Sequence, residues 1–376
     1  MSKHLNPVVK NLPPSGIRKF FDLVISAGPD VVSLGVGEPD FPTPWHIRES
    51  VIFALENGFT SYSENSGLLE LREEIAKYHL KDSPKKYNPA NEVLVTNGVS
   101  EGMDLVFRAI LKPGEKILIP DPGYVMYDPL VKLAGGVCEL YNPTKINEIN
   151  ISENTKGIVI NSPGNPIGNC LSENDVKHIS ALAEKHDFLI LSDEIYAELS
   201  FETPHFSFAK YSPDRTILFS GLSKGHAMTG FRIGWACGNS DVIGAMTKIH
   251  QYSALCAPTP SQIGAIEALR RGDPEVQKMK EIYNERRLFC IKRLKEIGIE
   301  THIPKGAFYI FANISPAGMD DITFCEKLLE ENKLAIVPGL AFGKNGKGYV
   351  RMTYAENIEK LTLAFDRLEK FWKSRT

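Results

Sequence analysis

Lys224 and Arg232 stand eight positions apart in the stretch FSGLSKGHAMTGFRIGW, residues 219–235. Arg232 lies between Gly230 and Gly234, and the whole stretch follows an apolar run. Long cations rarely enter an interior without a partner. Taken singly, each reads most simply as a solvated surface cation beside a turn. Taken together, they suggest a lysine nucleophile and an arginine for a bound anion. A neutral lysine amine attacks a carbonyl to form a Schiff base, and desolvation with nearby positive charge lowers its pKa enough to allow this. Arg232 would supply that charge and offer a fork of donors to a phosphate. Ser223 adds a hydroxyl beside the lysine.

Such groups need a scaffold that brings them together. Short apolar runs punctuate the middle of the chain: EVLV (92–95), KILI (116–119), GIVI (157–160), FLIL (188–191) and TILF (216–219). They lack strict alternation, as strands covered on both faces should. Amphipathic stretches separate them. Val99, Met103, Val106 and Ile110 share a helix face, and Ser172 to Asp175 resembles a capping box opening a helix through Val176, Ile179 and Leu182. Strand–helix alternation predicts an α/β large domain with a mainly parallel, doubly wound sheet. Ligands then bind beyond the carboxyl ends of the strands.

The residues at those ends carry complementary chemistry. Gly98, Val99 and Ser100 open a helix, whose free amide N–H groups suit an anion. Tyr124 follows the second run, Asn165 the third, Asp193 and Tyr196 the fourth, and Lys224 the fifth. A phosphorylated aldehyde would satisfy both the phosphate cup and the amine. Pyridoxal 5'-phosphate is such a molecule, and it also needs a carboxylate to keep its ring nitrogen protonated. Asp193 is placed for that. Asn165 and Tyr196 can donate to the phenolate oxygen, and Tyr124 can stack on the ring.

The last hundred residues read as a smaller α+β domain. A helical stretch near 283–297 leads to strand-like 306–312 (GAFYIFA), then 334–337 and 349–353. A closing helix carries Ile358, Leu361, Phe365, Leu368 and Trp372 on one face. The strand signal VVSLGVG (31–37) suggests that the N-terminal segment joins this domain. The expected division is 1–45 with 282–376 as the small domain and 46–281 as the large one. Residues 11–25 are a candidate lid helix over the site.

Bulk composition excludes several classes. The net charge of -3 gives no reason to expect nucleic acid or an anionic membrane as partner. No apolar run reaches membrane-spanning length, and the N-terminus lacks an apolar signal core. The six cysteines show no C-x-x-C or zinc spacing, so no metal is expected and a reducing cytoplasm fits best. GVGEPD (35–40) is not the dinucleotide fingerprint, which argues against a nicotinamide-dependent dehydrogenase.

GLSKGHAMTGFRIG (221–234) resembles the lysine signature of class I pyridoxal-phosphate aminotransferases, the aspartate and aromatic amino acid aminotransferase family of fold type I. GVGEPDFPTP (35–44), SYSENSGLLELR (61–72), NSPGNPIG (161–168), SDEIY (192–196), PKGAFYIF (304–311) and YVRMTYA (349–355) are similar to family motifs in the family's order. The resemblance implies that Lys224 bonds the cofactor and shuttles the substrate's α-proton. It implies that Asp193 pairs with the pyridine nitrogen and that Asn165 and Tyr196 contact the phenolate oxygen. Val99, Ser100, Ser223 and Arg232 would hold the phosphate. Arg351, with the backbone of Gly37 and with Asn165, would bind the substrate's carboxylate. Tyr62 would reach the cofactor of a neighbouring subunit, which makes a homodimer with shared sites the expected assembly.

Two features depart from the family pattern. Gly221 stands where many members have Ser, and Ser220 beside it is the candidate substitute as a phosphate ligand. SALCAPTP (253–260) offers no arginine for a substrate's distal carboxylate. The expected activity is transamination between an L-amino acid, aspartate or aromatic, and a 2-oxo acid, 2-oxoglutarate by default. A carbon–sulfur β-lyase on the same cofactor is the rival. A cofactor-binding transcriptional sensor is a further one, but only about 45 residues precede the α/β core, with no helix-turn-helix signal.

Overall fold

The structure, a computed structural model, describes residues 4–14, 16–17 and 28–375. The five predicted runs are all strands of one sheet: β2 (Val93–Thr96), β3 (Lys116–Pro120), β5 (Thr155–Asn161), β6 (Leu189–Asp193) and β7 (Thr216–Gly221). Two further strands, β4 (Val137–Tyr141) and β8 (Gly234–Cys237), complete seven in the order β2-β8-β7-β6-β5-β3-β4. Neighbours from β7 through β4 pair in parallel, and β8 alone runs antiparallel, between β7 and β2. The predicted mainly parallel sheet is therefore present, and β2, β3, β5, β6 and β7 all end at one edge.

Alternate residues of these strands enter separate cores, which explains their continuous apolarity. Leu94, Ile117, Val159, Leu191, Ile217 and Phe219 face one side, where the helices Val99–Ile110, Tyr127–Leu133 and Ser240–Ser253 pack. Val93, Val95, Leu218 and Trp235, with Leu118, Ile158 and Ile190, face the other. There they meet the helices Leu69–His79, Glu173–His186 and Thr259–Arg271. Each buried Val, Leu or Ile contributes roughly 1.5–3 kcal/mol, so the sheet is a stiff platform for its loops. The helix Glu173–His186 begins at a true capping box: Ser172 Oγ accepts from Asp175 N at 3.2 Å, and Asp175 accepts in return from Ser172 N at 2.9 Å.

The C-terminal part holds a three-stranded antiparallel sheet, β11 (Val337–Pro338), β12 (Tyr349–Thr353) and β9 (Tyr309–Asn313), in that spatial order. The helices Asp273–Ile297, Asp321–Asn332 and Ile358–Lys373 pack with it. The first of these starts ten residues before the helical stretch read near 283, and it runs unbroken through position 282. The closing helix buries Leu361, Phe365, Leu368 and Trp372 as expected, but Ile358 is exposed. Ile358 is the helix's first residue, and Ala364 and Phe371 fill the buried face in its place. From the N-terminal segment, β1 (Val32–Ser33) pairs in parallel with β10 (Leu334–Ala335). Of the candidate lid 11–25, position 15 and positions 18–25 lie outside the described residues.

Candidate active site

At the shared carboxyl edge lies a cavity of about 350 Å³. Every predicted site residue lines it except Tyr62: Gly37, Val99, Ser100, Tyr124, Asn165, Asp193, Tyr196, Ser223, Lys224, Arg232 and Arg351. Tyr62 is 82% exposed on the outer surface.

Lys224 sits three residues beyond the end of β7. Its Nζ donates to Gly37 O at 2.6 Å, and it lies 5.6 Å from the ring centre of Phe308 and 5.9 Å from that of Tyr196. Burial pulls its pKa down to about 8, with Arg351 and Arg232 adding to the fall while Glu38 and Asp193 oppose it. An amine so placed is part neutral near neutrality, as a nucleophile or proton carrier must be.

One end of the cavity is built for an anion. The helix Val99–Ile110 starts at Gly98 with no side-chain cap, so its first amides are free for a ligand. Gly98 has φ +80°, and a Cβ there would lie 2.8 Å from Arg232 Nη2. Only glycine lets the guanidinium approach this closely. Arg232 itself holds φ 56°, uncommon outside glycine, and among the described residues it donates only to the carbonyls of Thr229 at 3.0 Å and Asn97 at 3.4 Å. Ser100 and Ser223 complete the cup. Ser220 is buried in β7 and does not line the cavity, so it does not stand in for the serine absent at Gly221.

At the other end, Asp193 terminates β6 and is 3% exposed. Tyr127, a residue the motifs did not point to, donates its hydroxyl to Asp193 Oδ2 at 2.6 Å, and Ile195 N donates to Oδ1 at 3.3 Å. Burial raises the Asp193 pKa from 3.8 to about 6, against the pull of the Tyr127 hydrogen bond. Because the folded value is raised, the folded protein retains a proton that the unfolded chain gives up. The group therefore costs stability above about pH 6 and nothing below about pH 4. Asp193→Asn is expected to stabilise the cofactor-free protein by roughly 2–3 kcal/mol at pH 8, with the gain gone by pH 4. Denaturant melts at both pH values check this, and a pH-independent effect would contradict it.

Beside Asp193, Glu194 has a structural role. Its carboxylate accepts from Ser192 Oγ at 2.8 Å and Ser207 Oγ at 2.9 Å, and pairs with His205 Nε2 at 2.9 Å. Asn161 links two strand ends: its Nδ2 donates to Asp193 O at 3.1 Å, and its Oδ1 accepts from Asn165 N at 2.8 Å.

Arg351 rises from the middle of β12 and is 2% exposed. It donates to Asn165 Oδ1 at 3.0 Å and Gly35 O at 2.6 Å, and its Nε is buried without a partner. The rings of Tyr309 and Phe342 lie 4.5 and 4.7 Å from its guanidinium carbon. No carboxylate among the described residues pairs with it. A buried cation in this state calls for an anion from outside. Gly37 lines the cavity, and here its carbonyl receives Lys224 while Gly35 O receives Arg351.

These groups fit pyridoxal phosphate: a cup with a free helix end and a cation, a buried acid for a ring nitrogen, donors for a ring oxygen, and an amine. The comparisons agree. The sequence profile of the family described as aminotransferase class I and II matches residues 29–368. The chain is 44% identical, over the full length of both, to a Bacillus subtilis (strain 168) protein named putative aminotransferase YugH. It is 43% identical to an aspartate aminotransferase of Pyrococcus abyssi, with 96% of each chain covered. The fold is similar to the crystal structure of an aromatic aminotransferase from Pyrococcus horikoshii, with a TM-score of 0.88 and 40% identity over 96% of this chain and 99% of that one. Site geometry, whole-length identity and fold thus converge, and this chain belongs to the class I and II aminotransferase family as a pyridoxal-phosphate-dependent enzyme.

Proposed function

We propose that this aminotransferase accepts aspartate or an aromatic L-amino acid as donor and 2-oxoglutarate as default acceptor. Relatives named for aspartate and for aromatic amino acids, at 43% and 40% identity, support both donor classes. The observation that carries the site reading is Arg351, a buried guanidinium with an orphaned Nε and no acid partner among the described residues. A substrate carboxylate would take that place, held bidentately.

Pyridoxal phosphate, when bound, supplies an aldehyde carbon to carry the amino group and a protonated ring to accept the electron pair left at the α-carbon. The chain's own groups do the rest. Arg232, Ser100, Ser223 and the amides at Val99 hold the phosphate. The Asp193 carboxylate would accept a hydrogen bond from the protonated ring nitrogen and keep that proton in place. Asn165 and Tyr196 would donate to the ring oxygen, and Tyr124 would cover the ring face. Arg351 anchors the substrate so that its α-hydrogen faces Lys224, whose Nζ takes that proton and returns it at the far end of the transfer.

The assembly proposed is a homodimer with Tyr62 reaching the partner's phosphate. Trp45, Phe53, Phe59, Tyr62, Tyr252 and Leu255 are all exposed. They belong to connected segments, since Asn65 Nδ2 donates to Leu255 O at 2.9 Å and Thr259 Oγ1 to Ser61 O at 2.7 Å. An apolar surface of this kind favours a covering partner. The proposed division into a small domain (1–45 with 282–376) and a large one (46–281) draws support from the β1–β10 pairing. Six unpaired cysteines suit a cytoplasmic setting.

The experiment supplies one amino acid labelled with nitrogen-15 together with 2-oxoglutarate. Label in glutamate without free ammonia is expected. Ammonia and pyruvate released without any acceptor would instead identify a β-lyase. Sedimentation of the same sample should give twice the 41.8 kDa of one chain; a single-chain mass would remove the shared-site assembly.

A further inference from the structure

Tyr309 lies inside the motif PKGAFYIF (304–311), but no role falls to it from the motif. It lies on β9, is 1% exposed, and lines the cavity wall. Its hydroxyl is 2.8 Å from that of Tyr196, and the two rings meet edge to face with centres 5.8 Å apart. The same ring lies against the Arg351 guanidinium at 4.5 Å. A Cβ at Gly37 would collide with the Tyr309 hydroxyl, so the 35–37 backbone closes directly over it. Among the described residues, the Tyr196 hydroxyl is its one hydrogen-bond partner.

We propose that Tyr309 is a positioning residue that acts through Tyr196, donating to the Tyr196 oxygen and so committing the Tyr196 proton to the cofactor's ring oxygen. The proposal rests on the pyridoxal-phosphate reading of the cavity. Two phenols in contact have two protons and one shared hydrogen bond, and either can donate. If Tyr196 donated to Tyr309, it would have no proton for the cofactor. Two features of the surroundings favour Tyr309 as the donor. Tyr309 has no other acceptor among the described residues, whereas Tyr196 gains one when the cofactor binds. The Arg351 cation against the Tyr309 ring favours release of proton density from that hydroxyl. A hydrogen bond received by Tyr196 then polarises its own O–H, an effect that is larger in a closed, dry site. The outcome is a stronger donor at the ring oxygen than an isolated tyrosine provides.

The test is Tyr309→Phe, which removes the hydroxyl while keeping the ring, its contact with Arg351 and its packing under Gly37. Holoenzyme is titrated from pH 5 to 10 by the visible absorption of the bound cofactor. Donors at the ring oxygen favour the deprotonated chromophore, so weakening one raises the midpoint. The expected rise is about 0.5–1 pH unit for Tyr309→Phe, and more for Tyr196→Phe. The double variant should match Tyr196→Phe alone, because Tyr309 acts only through that residue. KM for the amino acid should stay within about twofold, since Arg351 keeps its ring neighbour. An unchanged midpoint in Tyr309→Phe, or a shift that adds to that of Tyr196→Phe, would overturn the proposal and leave Tyr309 as packing. Failure of the parent protein to develop any visible band with pyridoxal phosphate would instead strike the site reading itself.

Discussion

Lys224→Ala is expected to lower kcat by on the order of 10⁴-fold or more while the protein still binds pyridoxal phosphate. The lysine has two tasks, covalent attachment and proton transfer, and no neighbour can assume either. Arg351 and Arg232 offer guanidinium donors and no amine. Glu38 bonds Thr229 at the rim, and Asp193 is already engaged by Tyr127. Burial holds Lys224 near pKa 8, close enough to neutrality for it to give and take a proton. Cofactor affinity should fall only in part, because the phosphate cup and Asp193 are separate from the lysine. Turnover is read by oxo acid formation and retention by absorbance after gel filtration. Activity within tenfold of the parent would remove Lys224 from the chemistry.

Arg351→Met should produce the second largest effect, with an unusual companion. kcat/KM for any α-amino acid is expected to drop by on the order of 10²–10³-fold, since a bidentate, desolvated contact to the carboxylate is lost. The free protein, however, should be no less stable. Arg351 is a fully buried cation whose pKa burial pulls down, and it has carbonyl but no carboxylate partners among the described residues. Replacing such a group by an apolar chain of similar length removes a desolvation cost. Had Arg351 served a structural ion pair, the same substitution would strand a buried acid and cost about 3–5 kcal/mol. Denaturant melts of the cofactor-free protein separate the two accounts, and a large loss of stability with little change in kcat/KM would favour the structural one.

Much of this arrangement is written in local sequence. A strand buried on both faces must be apolar throughout, so β2, β3, β5, β6 and β7 stand out as runs. A parallel sheet then brings their ends to one edge, and with them Asn165, Asp193, Tyr196 and Lys224. Elements without such a local mark escaped. β4 is a half-exposed edge strand and β8 a four-residue strand beginning with glycine, directly behind the signature that drew attention. Tyr127 carries no motif of its own, and Tyr309 stands inside PKGAFYIF without being marked there as a site residue. Tyr127 reaches Asp193 across 66 residues of sequence and Tyr309 reaches Tyr196 across 113, contacts that only tertiary packing creates. The pairing of Glu194 with His205 is of the same kind.

The most direct test of the central claim is a half-reaction followed by absorbance. Purified protein is loaded with pyridoxal phosphate, freed of excess, and given a single amino acid with no oxo acid present. The account predicts that aspartate or an aromatic amino acid converts the visible band to that of the cofactor's amine form, releases one equivalent of 2-oxo acid per site, and stops. Adding 2-oxoglutarate should then restore the original band. A band that never forms, or one that no amino acid discharges, would contradict the assignment of this cavity as a transamination site.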